Sequence, residues 1–523
     1  MADARTISVD PITRIEGHLK VEAVIEDGEV KDARCSGQLF RGFELILAGR
    51  DPRDAALLSQ RICGVCPVAH ATASALSLDA AFGIDNQIPH NGRVMRNLIL
   101  GSNFLQSHIL HFYHLAALDY VDVTAAADYE GADDRLASLR DFIARGELAP
   151  FMPRYEGDYR LPKQANQQAA SHYVRALEAR RIAHEMCAVF GGKMPHQVGI
   201  VVGGCTETPT ADKVAAFLSK LKQLQRFIDD VYVPDVLAVA EAYPDYFAIG
   251  GGVKRWLSYG GLELDTTAET DLLKRKRFFA AGRVGADLKV AAVDPGRIAE
   301  QLRYSWYDEA TSGRPPQEAE TVPMPDKASG YSWLKAPRYD GEPHEVGPLA
   351  RTLVLYARGD AAVKSDIDGI LNRFGAKPEA LFSVLGRHAA RALEARRVAA
   401  AMEEWVMQLR PGEPACEWRR PPESGAGVGL TEAPRGALGH WAEVRGGKMA
   451  HYQLVVPTTW NASPRDDAGQ PGPMEQALIG APVRDPENPF EIVRIVRSFD
   501  PCLACSVHML TPNGREIGRC RVL

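Results

Sequence analysis

Two cysteine pairs are the residues of this chain best suited to metal chemistry. They lie in "RICGVCPVAH" (residues 61–70) and "DPCLACSVH" (residues 500–508), and each has the spacing Cys-x-x-Cys with a histidine after it. A tight turn brings the two sulfurs of each pair together, and four thiolates suit zinc, an iron–sulfur cluster or another soft-metal site. The pairs of a zinc ribbon are about 15–20 residues apart, whereas 436 residues separate Cys66 from Cys502. We therefore predict that distant parts of the chain meet at one buried site.

Composition narrows the function class only slightly. The chain has 523 residues, of which 46% are hydrophobic and 24% charged, values that are ordinary for a globular protein with a large core. Its formal charge of −6 gives no reason to expect nucleic-acid binding. We expect no membrane span and no secretory signal, since no run of 18 apolar residues and no apolar N-terminal region occurs. Nine cysteines, five of them scattered singly, argue against a disulfide framework.

The elements that must position these cysteines are readable from periodicity. Alternating apolar and polar residues around Asp27 and Gly28 predict a β-hairpin within residues 5–48. Helical periodicity predicts further segments at 60–119 (interrupted near residue 89), 164–190, 210–242 and 378–409. Glycine and proline predict strands and loops over 243–350, and ordered loops laid over a core from 411 onward. The expected fold class is α+β, mainly α, with a central helical bundle, an N-terminal β-hairpin region and long ordered loops.

Two weaker patterns carry less information. His108, His111 and His114 share one helical face, and such a row is more often part of a core or an interface than a metal site. The stretch "GAGVGL" (425–430) has no strand–turn–helix context, so it predicts a glycine-rich loop and not a nucleotide site.

The two cysteine motifs resemble those of the large subunit of nickel-iron hydrogenases. Further blocks resemble the same family in the same order, from residue 11 to residue 508: "PITRIEGH" (11–18), "FRGFE" (40–44), "HFYHLAALD" (111–119), "GGKMPH" (191–196), "EAPRGALGHW" (432–441) and "YQLVVPTTWNASPRD" (452–466). The resemblance implies the fold of that subunit and reversible heterolytic cleavage of H2, in the uptake direction. The alternatives are a hydrogen-sensing regulatory hydrogenase and a non-catalytic relative whose metal is structural.

The resemblance also implies the ligands of the metals. Nickel would be bound by Cys63, Cys66, Cys502 and Cys505, and Cys66 and Cys505 would bridge to an iron that carries carbon monoxide and two cyanides. A remote magnesium site would take Glu44, the carbonyl of Leu454 and His508. The residues around the cofactor would be His70, Pro434, Leu438, Val456, Pro457 and Thr458.

Proton chemistry is assigned by the same resemblance. Glu16 matches the glutamate that receives the proton, and a buried glutamate exchanges protons near neutral pH. Cys502 or Arg435 would be the base in hydrogen cleavage. Arginine is a poor base, so we favour an electrostatic role for Arg435, with Asp500 framing the same side of the site. Ser107 stands where some members of the family have an aspartate.

Maturation and partners complete the expectations. Residues 1–508 would form one mature domain, and a maturation endopeptidase would remove residues 509–523 after His508. The remaining cysteines form no second cluster set, so an obligate small subunit with iron–sulfur clusters would carry the electrons away, and His196 would lie near its proximal cluster. The resemblance also allows an electron-acceptor subunit in the membrane as a further partner. The complex would be periplasmic or membrane-associated, exported with the small subunit, with the cytoplasm as the alternative.

Overall fold

A computed structural model describes residues 4–146, 148, 151–152, 154, 157–266 and 268–503. Cys505, His508 and the segment 509–523 therefore lie outside the described residues. The strands are β1 Arg5–Val9, β2 Leu19–Glu26, β3 Glu29–Gly37, β4 Ile200–Val201, β5 Gly204–Cys205, β6 Arg255–Glu263, β7 Arg277–Gly285, β8 Val290–Ala291, β9 Ile298–Gln301, β10 Ala336–Tyr339, β11 Ser424–Ala433, β12 Gly436–Arg445 and β13 Lys448–Val455. The α-helices are α1 Phe43–Leu47, α2 Ala55–Leu58, α3 Pro67–Ala81, α4 His90–Leu110, α5 Asp134–Ala144, α6 Lys163–Gly191, α7 Ala211–Phe227, α8 Val233–Ala242, α9 Pro348–Ala357, α10 Ala361–Phe374, α11 Val384–Val406, α12 Pro457–Asn461, α13 Pro473–Leu478 and α14 Phe490–Ser498.

The N-terminal sheet confirms the predicted hairpin. Strands β1, β2 and β3 are antiparallel neighbours, and β2 and β3 are joined by Asp27 and Gly28. Both joining residues have positive φ, 53° and 74°, as a two-residue hairpin turn requires. Alternate residues of β2 are buried, so one face of this sheet covers the core.

The predicted helical bundle is present and contains most of the core. Helix α4 packs between α6 and α11, and α7 closes the group by packing against the same two helices. Nearly every residue of α4 is buried, as expected of a helix enclosed by its neighbours on all sides. Of the helices described, none is long and apolar enough to cross a membrane.

The sheet of β11, β12 and β13 shows that one prediction was wrong. The stretch "GAGVGL" is part of strand β11 and not a loop. Its glycines alternate along the strand and meet successive turns of α3: a Cβ added to any of them would lie within 2.2 Å of a carbonyl oxygen of that helix, at Gly425, Gly427 and Gly429. The glycines therefore let α3 pack directly on the sheet backbone. Glycine at every second position has the period of a strand, and this signal was overlooked.

The two ends of the described chain meet beside α3. Glu16 and Cys502 form a parallel β-bridge, and the N–H of Leu503 donates to the carbonyl of Glu16 at 2.7 Å. Arg497, at the end of α14, donates to the carbonyl of Thr13 at 2.9 Å. The first and last segments are therefore held together by backbone hydrogen bonds and a buried guanidinium, as a site shared by both cysteine motifs needs.

Candidate metal centre

Three thiols from the two motifs converge in the interior. The sulfurs of Cys63, Cys66 and Cys502 lie within 4.8 Å of one another, and all three residues are buried. The Cys63 and Cys502 sulfurs are 3.2 Å apart. Among the described residues this is the one cluster of histidine, cysteine or acidic side chains able to hold a metal ion. Cys505, the fourth predicted ligand, lies outside the described residues.

The backbone turn between Cys63 and Cys66 directs both sulfurs of the first cysteine pair into this cluster. The N–H groups of Val65 and Cys66 point at the Cys63 sulfur, at 3.2 and 3.4 Å. Cys66 is the N-cap of α3, and Pro67 occupies the first position of that helix. Backbone N–H groups at a helix start favour negative charge, so this turn is suited to thiolates that bind a soft metal.

Cys502 lies between a carboxylate and a hydroxyl. Its sulfur is 3.2 Å from Oε2 of Glu16, as the donor of a hydrogen bond. Its N–H donates to the hydroxyl oxygen of Thr458 at 3.0 Å. Thr458 lies in the first turn of α12, which follows β13 directly. Two predicted site residues therefore contact Cys502 from opposite ends of the sequence.

Arg435 is buried beside the same cysteines. It follows β11 and donates from Nε to the carbonyl of Asp500 and from Nη2 to its carboxylate, both at 3.0 Å. Its third contact is to the Ser107 hydroxyl at 3.4 Å. Burial alone would lower the pKa of Arg435, but Asp500 and the cysteine thiolates outweigh burial and raise that pKa well above its ordinary value. The guanidinium is therefore a fixed positive charge facing the thiols.

His70 lies one turn after Cys66 on α3, and its side chain is buried. Burial lowers the pKa of His70 to about 4, although the negative charge of Cys63 acts in the opposite direction. Its Nδ1 is 3.2 Å from Nε2 of His440, a residue of β12 that the sequence did not single out. At neutral pH the imidazole is therefore uncharged and hydrogen-bonded to a second imidazole.

The remaining residues predicted around the cofactor are buried on the sheet side of the centre. Leu438 lies in β12, Val456 connects β13 to α12, Pro457 is the first residue of α12, and Pro434 follows β11. The carbonyl of Pro434 accepts a hydrogen bond from Arg351 at 2.9 Å. Leu438 and Val456 belong to the same hydrophobic core cluster as Cys63, Cys66 and Cys502.

Glu44 lines a separate cavity of about 60 Å³ together with Glu300, Lys335 and Leu454. The N–H of Leu454 donates to Glu44 at 3.2 Å, and Lys335 lies 3.4 Å from Glu44 and 3.5 Å from Glu300. Glu44 also accepts a hydrogen bond from the Thr321 hydroxyl. Carboxylate and carbonyl oxygens are the ligands that magnesium prefers. His508, the third predicted ligand, lies outside the described residues.

The three histidines of one helical face have separate structural partners. His108 contacts Glu394 at 2.8 Å, His111 the carbonyl of Arg497 at 2.6 Å, and His114 a backbone carbonyl at 3.3 Å. Of the row predicted to be core or interface histidines, His108 and His111 are therefore in the core, and His114 is half-buried. His196 is half-buried, and the backbone of Cys63 is among its hydrogen-bond partners.

Several functional candidates were missed from the sequence. Lys335 and Glu300 occur singly, without a motif around them, and His440 lies in "EAPRGALGHW" (432–441) without any signal of its own; only burial distinguishes the three from surface residues. Lys335 is 6% exposed and Glu300 is 1% exposed. Charged residues are rarely buried unless they are paired, so burial is the signal that would have found them.

Comparison with known proteins agrees with this geometry. The family model described as nickel-dependent hydrogenase matches residues 41–508, and a model described as HoxL-like matches residues 6–36. The chain is 45% identical to the large subunit of the periplasmic NiFeSe hydrogenase of Desulfomicrobium baculatum, over 96% of this chain and 95% of that protein. It is 36% identical to the uptake hydrogenase large subunit of Rhizobium leguminosarum bv. viciae, over 99% of this chain and 97% of that protein.

A solved structure gives the same result. The NiFeSe hydrogenase of D. vulgaris Hildenborough matches with a TM-score of 0.85 at 45% identity, over 97% of this chain and 100% of that chain. The names of the D. baculatum and D. vulgaris proteins include selenium. This chain has cysteine at all four positions of its two Cys-x-x-Cys motifs. The chain therefore belongs to the nickel-dependent hydrogenase family, oxidoreductases that act on H2, and corresponds over nearly its whole length to their large subunit.

Proposed function

We propose that this chain cleaves H2 heterolytically at a nickel–iron pair held by Cys63, Cys66, Cys502 and Cys505. The observation that carries the proposal is the convergence of three buried thiols with a carboxylate 3.2 Å from one of them. Thiolates are soft ligands, and their burial excludes competing water. A nickel–iron pair with one carbon monoxide and two cyanides would supply the Lewis acidity and redox capacity that polarise H2. Cys66 and Cys505 would hold the iron as well as the nickel.

Cys502 and Glu16 would move the proton. The thiol of Cys502 is placed to donate to Oε2 of Glu16, so a proton received at this sulfur has an acceptor within hydrogen-bond reach. Burial and the apolar residues around the site keep bulk water from taking that proton. Glu16 lies on the N-terminal segment, which leads towards the surface, and Glu16 would pass the proton outward.

Arg435 would stabilise negative charge at the centre and would not act as the base. Its pKa is raised by Asp500 and the thiolates, so it keeps its proton near neutral pH. The hydroxyl oxygen of Thr458 accepts a hydrogen bond from the backbone N–H of Cys502. The hydroxyl hydrogen of Thr458 is not used in that bond and can be donated to another acceptor. That hydrogen would bind one cyanide, and Arg435 would bind the other. Leu438, Val456 and Pro457 would form the dry wall around carbon monoxide.

Magnesium would occupy the cavity beside Glu44, bound by that carboxylate, the Leu454 carbonyl and His508. The support is a pair of carboxylates, partly buried Glu44 and buried Glu300, with one lysine between them. A divalent cation would offset the negative charge of these carboxylates. Lys335 and Glu300 would then hold water molecules on the ion.

Infrared spectroscopy of the purified complex, on a sample also assayed for nickel, tests the proposed function. We expect one carbonyl band and two cyanide bands together with about one nickel per chain, because four thiolates bind one nickel. A spectrum without these bands, from a protein that holds zinc in place of nickel and iron, would show that the cysteines are structural. Hydrogen-dependent reduction of an artificial acceptor separates an enzyme from a sensor, since a sensor turns over little.

Residues 509–523 would be removed after His508 once nickel is bound. Cleavage would let the new C-terminus, which carries Cys505 and His508, close the site that Cys502 begins. We expect the intact mass of the large subunit in purified holoenzyme to correspond to residues that end at His508. A holoenzyme that retains the mass of residues 509–523 would contradict this proposal, and so would a fully loaded enzyme cleaved at another position.

Electrons would leave through a small subunit with iron–sulfur clusters. The support is that the described residues contain no second metal-binding cluster, and that large apolar side chains near the first motif are exposed: Leu45, Ile46, Leu57 and Val198. Exposed apolar patches mark interfaces. The D. baculatum relative is named as periplasmic, and we propose the same compartment here, with export alongside the small subunit.

A further inference from the structure

Arg351 is a fully buried arginine of α9 whose side chain reaches the turn that carries Arg435. Strand β11 ends at Ala433 and β12 begins at Gly436, and these two residues are paired. The turn between them consists of Pro434 and Arg435. The Arg351 guanidinium donates to the carbonyls of Ala433 and Pro434, both at 2.9 Å. One side chain therefore holds the last two backbone acceptors before Arg435.

Two buried carboxylates hold the other side of the same guanidinium. Glu394 of α11 accepts hydrogen bonds from Nε and Nη2 of Arg351 at 2.7 and 2.6 Å. Glu432 of β11 accepts one from Nη1 at 2.6 Å. A guanidinium has five N–H donors in a planar fork, and these three contacts with carboxylates and two with carbonyls use all five. The orientation of the Arg351 side chain is therefore fixed.

Both carboxylates are held in turn by other elements of the fold. Glu394 lies 2.8 Å from Nε2 of His108 on α4. Glu432 accepts hydrogen bonds in β6, from the N–H of Tyr259 at 2.8 Å and from the hydroxyl of Ser258 at 3.1 Å. The network thus connects the helical bundle and a second sheet to the turn between β11 and β12.

The start of α9 packs against the other end of that turn. Gly347 is the N-cap of α9, and a Cβ added to Gly436 would lie 2.6 Å from the backbone nitrogen of Gly347. Gly436 has a φ of 135°, which also favours glycine. The backbone at the start of α9 therefore lies directly against the residue after Arg435, while Arg351 holds the peptide group before it.

We propose that Arg351 is a positioning residue, which holds the guanidinium of Arg435 in place beside the thiols. A peptide group is planar, so fixing the carbonyl of Pro434 fixes the plane that enters Arg435. From that backbone position, the Arg435 side chain reaches Asp500 with two contacts at 3.0 Å. The inference rests on the proposed function, in which Arg435 is a fixed positive charge at the metal centre.

The test is a double-mutant cycle on hydrogen oxidation with Arg351→Lys and Arg435→Lys. Lysine has three donors on a single nitrogen, so it cannot reach two carboxylates and two carbonyls together. We expect Arg351→Lys to lower turnover by about 10²-fold, the loss that a misplacement of about 1 Å causes. The double variant should be no slower than Arg435→Lys alone, because Arg351 acts through Arg435.

Infrared spectroscopy supplies a readout that a purely structural role would not move. Arg435 would bind one cyanide, so Arg351→Lys should shift one of the two cyanide bands, as Arg435→Lys should, while the nickel content stays the same. Arg358→Lys is the control at the end of the same helix, since Arg358 is exposed and donates to the carbonyl of Ala281 at 2.6 Å. Its rate and bands should be those of the unchanged enzyme.

Each other result overturns a specific claim. Absence of the bands from the unchanged enzyme overturns the proposed function itself. Unmoved bands in a loaded Arg351→Lys enzyme overturn only the positioning role. A double variant whose two losses multiply does the same, because Arg351 would then act independently of Arg435.

Glu432→Gln provides the test if Arg351→Lys does not load metal. The amide oxygen can keep the hydrogen bonds from β6, but the amide nitrogen then faces the guanidinium of Arg351, which loses one acceptor. We expect the same cyanide band to shift and the rate to fall by less than in Arg351→Lys. A loaded Glu432→Gln enzyme with unmoved bands would overturn the inference.

Discussion

Glu16→Gln should lower hydrogen oxidation by about 10²-fold or more, the contribution that a general acid–base group makes. Oε2 of Glu16 is 3.2 Å from the Cys502 sulfur, and glutamine at this position can form a hydrogen bond but cannot take up the proton. Exchange between D2 and solvent protons should fall in parallel, because both reactions need the same proton exit. Turnover with an artificial acceptor and mass spectrometry of the exchanged gas measure the two rates.

The metal content and infrared bands of Glu16→Gln should match those of the unchanged enzyme, since Glu16 is not a proposed ligand. Glu22→Gln is the matched control: it removes a carboxylate of β2 that is 38% exposed and paired with Lys20 at 2.8 Å. Activity there should be unchanged, because exposed ion pairs contribute little. A fully loaded Glu16→Gln enzyme that turns over normally would place the proton exit elsewhere.

Much of the site was predictable because its residues lie in short motifs. The spacing of Cys63 and Cys66 is local information, and so is the periodicity that predicted the hairpin at Asp27 and the helices of the bundle. No local signal in the sequence predicts that Cys502 meets the first cysteine pair. We inferred that contact because a soft metal site needs more thiolates than one pair supplies. The described residues confirm this convergence for three of the four cysteines.

The remaining features depend on contacts between distant parts of the chain. His440 is 370 residues from His70, and nothing around "GHW" indicates that its ring meets another imidazole. Lys335 was missed for the same reason, since pairing with Glu44 and Glu300 is a property of the folded cavity. "GAGVGL" was predicted to be a loop because no strand–turn–helix context surrounds it. Its glycines lie in a strand because α3 packs directly against the sheet backbone there, and one sequence does not show which helix approaches.

Arg435→Lys should reduce turnover by about 10² to 10³-fold, the loss seen when one preorganised donor at a developing charge is removed. The guanidinium makes two contacts with Asp500 and one with Ser107. Lysine keeps the charge but lacks the planar fork, so it cannot reproduce both contacts with Asp500. We expect the metals to be retained and the rate to fall by a similar factor at every pH from about 6 to 9, where both side chains are charged.

The pH profile separates an electrostatic role from base catalysis. Asp500 and the thiolates hold the pKa of Arg435 above its ordinary value despite burial, so the arginine cannot gain activity by losing its proton as pH rises. A lysine has a lower ordinary pKa, about 10.4, and as a base it would regain activity at high pH. Recovery of the variant with rising pH would therefore favour base catalysis. Arg445→Lys is the matched control, because Arg445 is an exposed residue of β12 that pairs with Glu443 at 2.6 Å. This variant should keep the rate of the unchanged enzyme over the whole pH range.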